Sequence, residues 1–214
     1  MTNKPKLVQA TGLFETPLFV FQVDNHAELN QKIHDEAQTI RANSPGMVRS
    51  NQRGWHSDSD LFRRSEPALK QISQIIVNCA RAVIVRTSQK KPTQLRCEGW
   101  ININPKGGYN VPHDHSGYLW SGTYYVRVPT VEGSRSGNIE FIDPRNNVSA
   151  NAQGTFKTKH RINPRDGMLI IFPGYLNHWV YPNEQDEDRM TIAFNVNLPL
   201  PSPESPGSPQ PKAD

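Results

Sequence analysis

The chain has 214 residues, 35% of them hydrophobic and 8% aromatic, which is enough for one domain with a sizeable core and demands no second. Its net charge of +4 and pI near 9.1 come from lysines and arginines scattered along the sequence, so no basic stripe points to nucleic acid. No apolar run reads as a bilayer span, no signal peptide is recognisable, and Cys79 and Cys97 lack metal-ligand spacing; a cytoplasmic setting without a membrane partner fits, and whether the two cysteines pair is open.

In chain order, Leu18 to Val23 reads as a strand and Asn25 to Ala42 as a helix with an apolar stripe of Leu29, Ile33, Ala37 and Ile40. The stretch Asn51 to Arg64, with Trp55, His56 and Asp58, reads as a polar surface connection that could border a substrate mouth. A longer helix begins at Ser65, a capping serine with Pro67 in the first turn, and carries a stripe of Leu69, Ile72, Ile76, Ala80 and Val83. Both helices are expected to cover one face of a sheet.

Strands dominate from there. In Leu95 to Pro105, Trp100, Asn102 and Asn104 share one face while Ile101 and Ile103 share the other. In Ser121 to Val128, Thr123 and Tyr125 lie opposite Tyr124 and Val126. Pro129 to Arg161 is long and polar, broken by a short strand over Gly137 to Asp143, and the basic cluster Lys157, Lys159, Arg161 and Arg165 reads as a solvated loop. Arg165 to Gly174 is a turn, a five-residue apolar run and a turn, as in a strand buried on both faces. The strand opened by Arg189 alternates, with Arg189, Thr191, Ala193, Asn195 and Asn197 on a polar face and Met190, Ile192, Phe194, Val196 and Leu198 on an apolar one. Residues 1–198 thus form a single domain, and the proline- and serine-rich residues 199–214 a disordered tail.

His113 and His115 carry the chemistry. One residue apart on an extended chain, their imidazoles project from one face while Asp114 points the other way. His178, beyond the buried strand and its turn, is the natural third ligand, and three ligands with open positions suit a catalytic metal. A hairpin around Asn183 and Glu184 would set His178 opposite Arg189, whose rigid fork matches a carboxylate, with Thr191 as a further donor on the same face. Asn102 and Tyr125 are further candidates for the cavity. The plainer readings are a solvated His-x-His, an Arg189 paired with Glu187 or Asp188, and core-filling Asn102 and Tyr125.

These stretches together resemble the Fe(II)/2-oxoglutarate-dependent oxygenases, in particular a small subfamily allied to prolyl 4-hydroxylases. The resemblance is carried by Trp100-x-Asn102, Pro112 to His115, Ser121 to Val126, Asp143-Pro144-Arg145, Gly167 to Pro173, His178, Arg189-Met190-Thr191 and Phe194-Asn195. It implies a mainly β fold with flanking helices, a double-stranded β-helix or jelly roll. It further implies Fe(II) on His113, His115 and His178, 2-oxoglutarate anchored by Arg189, O2 as oxidant, and hydroxylation of a small-molecule or peptidyl substrate with release of succinate and CO2. The sequence departs from the usual pattern at position 115, where the family carries Asp or Glu. An all-imidazole triad leaves the ferrous centre one charge more positive. Other readings are a cupin-like three-histidine dioxygenase that does not use 2-oxoglutarate, or a metal-dependent binding jelly roll; the assembly considered is a homodimer.

Overall fold

The structure is a computed structural model that describes residues 6–88, 91–129, 132–145 and 157–199. The tail beyond residue 199 and residues 146–156 of the long polar insertion lie outside the described residues. In order, the elements are β1 (Phe19–Gln22), α1 (His26–Ala42), β2 (Asn51–Gln52), β3 (Trp55–His56), a 3-10 turn (Leu61–Arg63), α2 (Pro67–Ser88), β4 (Arg96–Asn104), β5 (Tyr109–His113), β6 (Trp120–Arg127), β7 (Ile139–Ile142), β8 (Lys159–Ile162), β9 (Met168–Pro173), β10 (His178–Val180) and β11 (Arg189–Asn197). They form a six-stranded antiparallel sheet, β1-β9-β6-β11-β4-β3, and a five-stranded one, β2-β5-β10-β7-β8.

Strand alternation divides the apolar residues between two cores. From the larger sheet, Ile101, Ile103, Tyr124, Leu169, Ile171, Met190, Ile192, Phe194 and Val196 face the helices. Tyr125, Met168, Ile170 and Phe172 point the other way and pack with Ile139, Phe141 and Val180 of the smaller sheet. The run Met168 to Phe172 is apolar throughout because β9 is buried on both faces. The interior between the sheets also receives the polar side chains, and so it becomes the site.

Helices α1 and α2 cover the outer face of the larger sheet through Leu29, Ile33, Ala37, Leu69, Ile72, Ile76, Ala80 and Val83, the stripes expected from their 3.6-residue period. Asn30 docks α1 by polar contacts as well, donating to the Val126 carbonyl at 2.7 Å and accepting from the Tyr124 hydroxyl at 2.5 Å. By length and composition α2 is apolar enough to cross a membrane, contrary to the sequence reading, yet its apolar stripe is spent on the sheet. Its first turn is capped from a distance. The N–H groups of Ala68 and Leu69 donate to the two carboxylate oxygens of Glu36 on α1, both at 2.9 Å, a role the sequence reading gave to Ser65.

Two further expectations are corrected. Asn51 to Arg64 is a built segment and not a surface connection: β2 pairs with β5, β3 pairs with β4, and Trp55, His56, Ser57 and Leu61 are buried. The basic cluster is partly a strand, β8, from which Lys159 and Arg161 reach the buried Glu140 at 3.4 and 3.2 Å. Both cysteines are free thiols.

Since Glu36 satisfies two orphan donors of α2 and ties the helices together, Glu36→Ala should lower unfolding stability by about 1–2 kcal/mol, and Glu36→Gln by less. Chemical denaturation of the three proteins checks this; equal midpoints would remove Glu36 as the cap.

Candidate metal centre and anion clamp

A bulge in β5 begins the site. His178 of β10 pairs with His113, but Val180, two residues on, pairs with Asn110, three residues back, so β5 carries one extra residue there. Pro112 lies in this stretch, where a residue without a ladder N–H is tolerated. The bulge shifts the side-chain phase, and Asn110 and His113 both reach the interior. His115 follows the end of the strand, its N–H donating to the Gly174 carbonyl at 2.8 Å. Asp114 is exposed and turned away, capping the Ser116 N–H at 2.8 Å.

His113, His115 and His178 converge. One ring nitrogen from each lies within 4.8 Å of the other two, and the ring centroids are 4.5 to 5.3 Å apart. His113 Nδ1 sits 2.7 Å from the Val111 carbonyl and His178 Nδ1 sits 2.9 Å from the Leu176 carbonyl. A carbonyl accepts only from a protonated nitrogen, so these contacts fix the tautomer and leave both Nε2 lone pairs free for a metal. Phe172 packs on His178 at 4.8 Å between centroids and Trp100 on His115 at 5.9 Å, giving the centre apolar walls.

The same burial keeps the rings neutral. Desolvation presses the pKa of His178 down to about 3 and that of His115 to about 4, and lowers His113 as well; repulsion from His113 adds to the first two. Three neutral imidazoles at one point are a nitrogen-donor set ready for a divalent transition metal at neutral pH, with no proton to displace.

Opposite them lies Arg189. Only 3% exposed, it enters no ion pair among the described residues. The plainer pairing with Asp188 is excluded, because Asp188 takes Arg41 of α1 at 2.8 Å. Arg189 Nε donates to the Gly137 carbonyl at 3.0 Å and its guanidinium lies 5.4 Å from the centre of the Tyr125 ring. Gly137 is needed there: its φ is +64°, and a Cβ on it would stand 2.8 Å from Arg189 Cδ.

Beside the clamp, Asn102 of β4, Thr191 of β11 and Tyr125 of β6 form a row across three adjacent strands, since Thr191 pairs with both others. All three are buried and line the same cavity as Arg189 and the histidines. Asn102 Oδ1 and Tyr125 Oη have no hydrogen-bond partner among the described residues. Burial pushes the Tyr125 phenol up to about 12, against the opposing pull of Arg189, so it remains a neutral donor.

The expected hairpin does not form. His178 lies in the smaller sheet, between His113 and Phe141, whereas Arg189 lies in the larger, beside Asn104. Residues 181–188 cross between the sheets, and the two groups face one another across the interior. Sequence reasoning also missed Ser50, Asn110 and Ser121 of the cavity lining. Asn110 was hidden by the bulge, and the composition around Ser50 carries no signal. A second, larger cavity of about 570 Å³, between residues 13–18 and the ends of β7 and β8, contains none of His113, His115, His178 and Arg189 but has Phe141 and Leu176, both neighbours of His178, in its wall.

Residues 98–195, which include the three histidines, Arg189, Thr191, Tyr125 and Asn102, match the sequence profile of a family described as "Putative 2OG-Fe(II) oxygenase". That stretch is similar to the Fe(II)/2-oxoglutarate oxygenases. No curated protein sequence matches it significantly. Solved structures with the same fold include a Pseudomonas putida prolyl 4-hydroxylase, with 15% identity, TM-score 0.61 and coverage of 86% of this chain and 93% of that one. A Trichoplax adhaerens prolyl hydroxylase in complex with a peptide fragment of hypoxia inducible factor matches at 12% identity, TM-score 0.63 and coverage of 84% and 82%. HygX from Streptomyces hygroscopicus, with nickel and 2-oxoglutarate bound, matches at 12% identity, TM-score 0.63 and coverage of 86% and 83%. The two sheets accordingly form a double-stranded β-helix.

Histidines held neutral in the fold below their ordinary pKa bind fewer protons than in the unfolded chain. Their contribution to stability is therefore complete above pH 6.5 and is lost as pH falls from there toward 3. The metal-free protein should lose stability between pH 7 and 4 more steeply than His178→Gln; parallel pH profiles in urea unfolding would refute a neutral, buried His178.

Proposed function

We propose that this protein is an Fe(II)- and 2-oxoglutarate-dependent hydroxylase. The observation that carries the reading is the pairing of three convergent neutral imidazoles with a buried guanidinium that lacks a carboxylate. A guanidinium does not shed its proton in a protein, so its burial is stable only with an anion at hand. A dicarboxylate reaching from the metal to Arg189 supplies that anion, and this favours the 2-oxoglutarate reading over a three-histidine dioxygenase that has no use for Arg189.

The residues fit the two groups. His113, His115 and His178 would hold the iron, and Arg189, Thr191, Tyr125 and Asn102 the co-substrate, with the Tyr125 hydroxyl donating to a carboxylate and Asn102 Oδ1 available to a hydrogen-bond donor. Ferrous iron would supply the activation of O2 by which 2-oxoglutarate becomes succinate and CO2, one oxygen atom entering succinate and the other a substrate C–H bond. The chain's own work is placement. The rigid strands fix the ligands, Gly137 and Tyr125 orient the guanidinium, and Phe172, Phe141 and Trp100 exclude water from the histidines. The cavity of about 570 Å³ bordered by Phe141 and Leu176 gives a small-molecule or peptidyl substrate room next to the centre.

Anaerobic addition of 2-oxoglutarate to the Fe(II)-loaded protein should produce a weak visible charge-transfer band. Arg189→Ala should bind 2-oxoglutarate roughly 30-fold more weakly or worse, the consequence of about 2 kcal/mol or more lost with a buried charge pair, while retaining iron. A band that titrates identically in the variant would refute the clamp, and a protein that holds iron but gives no band would move the assignment to a dioxygenase independent of 2-oxoglutarate.

A further inference from the structure

The segment 47–54, which leads into β2, is tighter than a connection requires. Asn51 accepts the Arg49 N–H at 2.7 Å and donates from Nδ2 to the carbonyls of Met47 and Gly54 at 3.2 and 2.9 Å. The Ser50 carbonyl accepts the Val111 N–H at 3.0 Å, which binds the segment to β5 two residues before His113. The Ser50 hydroxyl is thereby fixed in the wall of the metal cavity.

Ser50 Oγ stands 3.4 Å from His113 Nε2, the nitrogen whose lone pair is free because Nδ1 faces the Val111 carbonyl. The other side of Oγ is already used. Asn110 Nδ2 donates to it at 3.2 Å, and Asn110 Oδ1 in turn accepts from Asn104 Nδ2 at 3.2 Å. Both amides are buried, and the donors run from Asn104 through Asn110 to Ser50. With one lone pair of its oxygen engaged, Ser50 keeps its proton to give. In the metal-free protein His113 Nε2 takes that proton; once the lone pair belongs to a metal ion, the proton needs another acceptor at the centre.

The all-imidazole ligand set supplies the reason for one. Three neutral nitrogens leave the full double charge of the ion to be compensated by anionic oxygen ligands, a carboxylate or a hydroxide, and these accept hydrogen bonds strongly. We propose that Ser50 is a positioning residue of this metal centre, its hydroxyl donating to an oxygen ligand on the ion while Asn110 and Asn104 hold it in that direction. The inference rests on the metal reading above.

Co(II) is the probe, with affinity measured on the whole chain by chelator competition and coordination read from the visible d–d absorption. Ser50→Ala should weaken Co(II) binding by about 10-fold, in the range typical for groups that orient a ligand shell, and shift the band. Ser50→Thr, which keeps the hydroxyl, should restore both. Equal affinity and an unchanged spectrum in Ser50→Ala would overturn the role, as would a Ser50→Thr that behaves like the alanine variant. His178→Ala separates the two levels: loss of Co(II) binding there upholds the metal centre whatever Ser50 does, whereas wild-type binding would bring down the centre itself.

Discussion

A guanidinium closed between two β-sheets with no carboxylate paired to it among the described residues is a costly arrangement, and much else is arranged around it. Arg189 begins the most extensively paired strand, β11, which is hydrogen-bonded along its length to β4 on one side and to β6 on the other. That strand cannot slip by one residue without sending Arg189 and Thr191 into the helix-covered core and Met190 and Ile192 into the cavity. The charge is steadied by a glycine carbonyl and an aromatic face, neither of which neutralises it. Strand register, the left-handed glycine and the unpartnered phenol all answer to the same buried positive group.

The histidine centre on the opposite wall obeys a complementary economy. Its rings are neutral because burial disfavours their charged forms, and their Nδ1 atoms are turned toward backbone carbonyls. One wall of the interior is therefore cationic without a metal, and the other becomes so only with one. A dianion between them would meet positive charge at both ends, while monoanions or neutral molecules would satisfy only one.

Much of this was legible in the sequence because period-two alternation is a local property. The opposed faces of β4, β6 and β11 followed from Trp100, Asn102, Tyr125, Arg189 and Thr191 standing two residues apart from other polar or aromatic groups, and the stripes of α1 and α2 followed from spacing in the same way. What could not be read was set by long-range geometry. The crossing of residues 181–188 from one sheet to the other looks like a hairpin turn in sequence, since polarity does not distinguish a turn within a sheet from a passage between sheets. The cap on α2 comes from Glu36, about thirty positions away, and the bulge in β5 that turns Asn110 inward depends on its pairing with β10. Short strands such as Asn51–Gln52 and Trp55–His56 carry too few residues to show a period at all.

The placement of the histidines and Arg189 in different sheets means that the span between them is not a matter of hydrogen-bond register. Within a sheet that distance would be quantised by the backbone ladder. Across the interior it is set by the thickness of the packed side chains, chiefly Ile170 and Phe172 against Ile139 and Val180. Those apolar residues act as a ruler for any acid that bridges the two walls. Trimming or enlarging one of them, without touching a histidine or the arginine, would change the length of acid that can bridge the two walls.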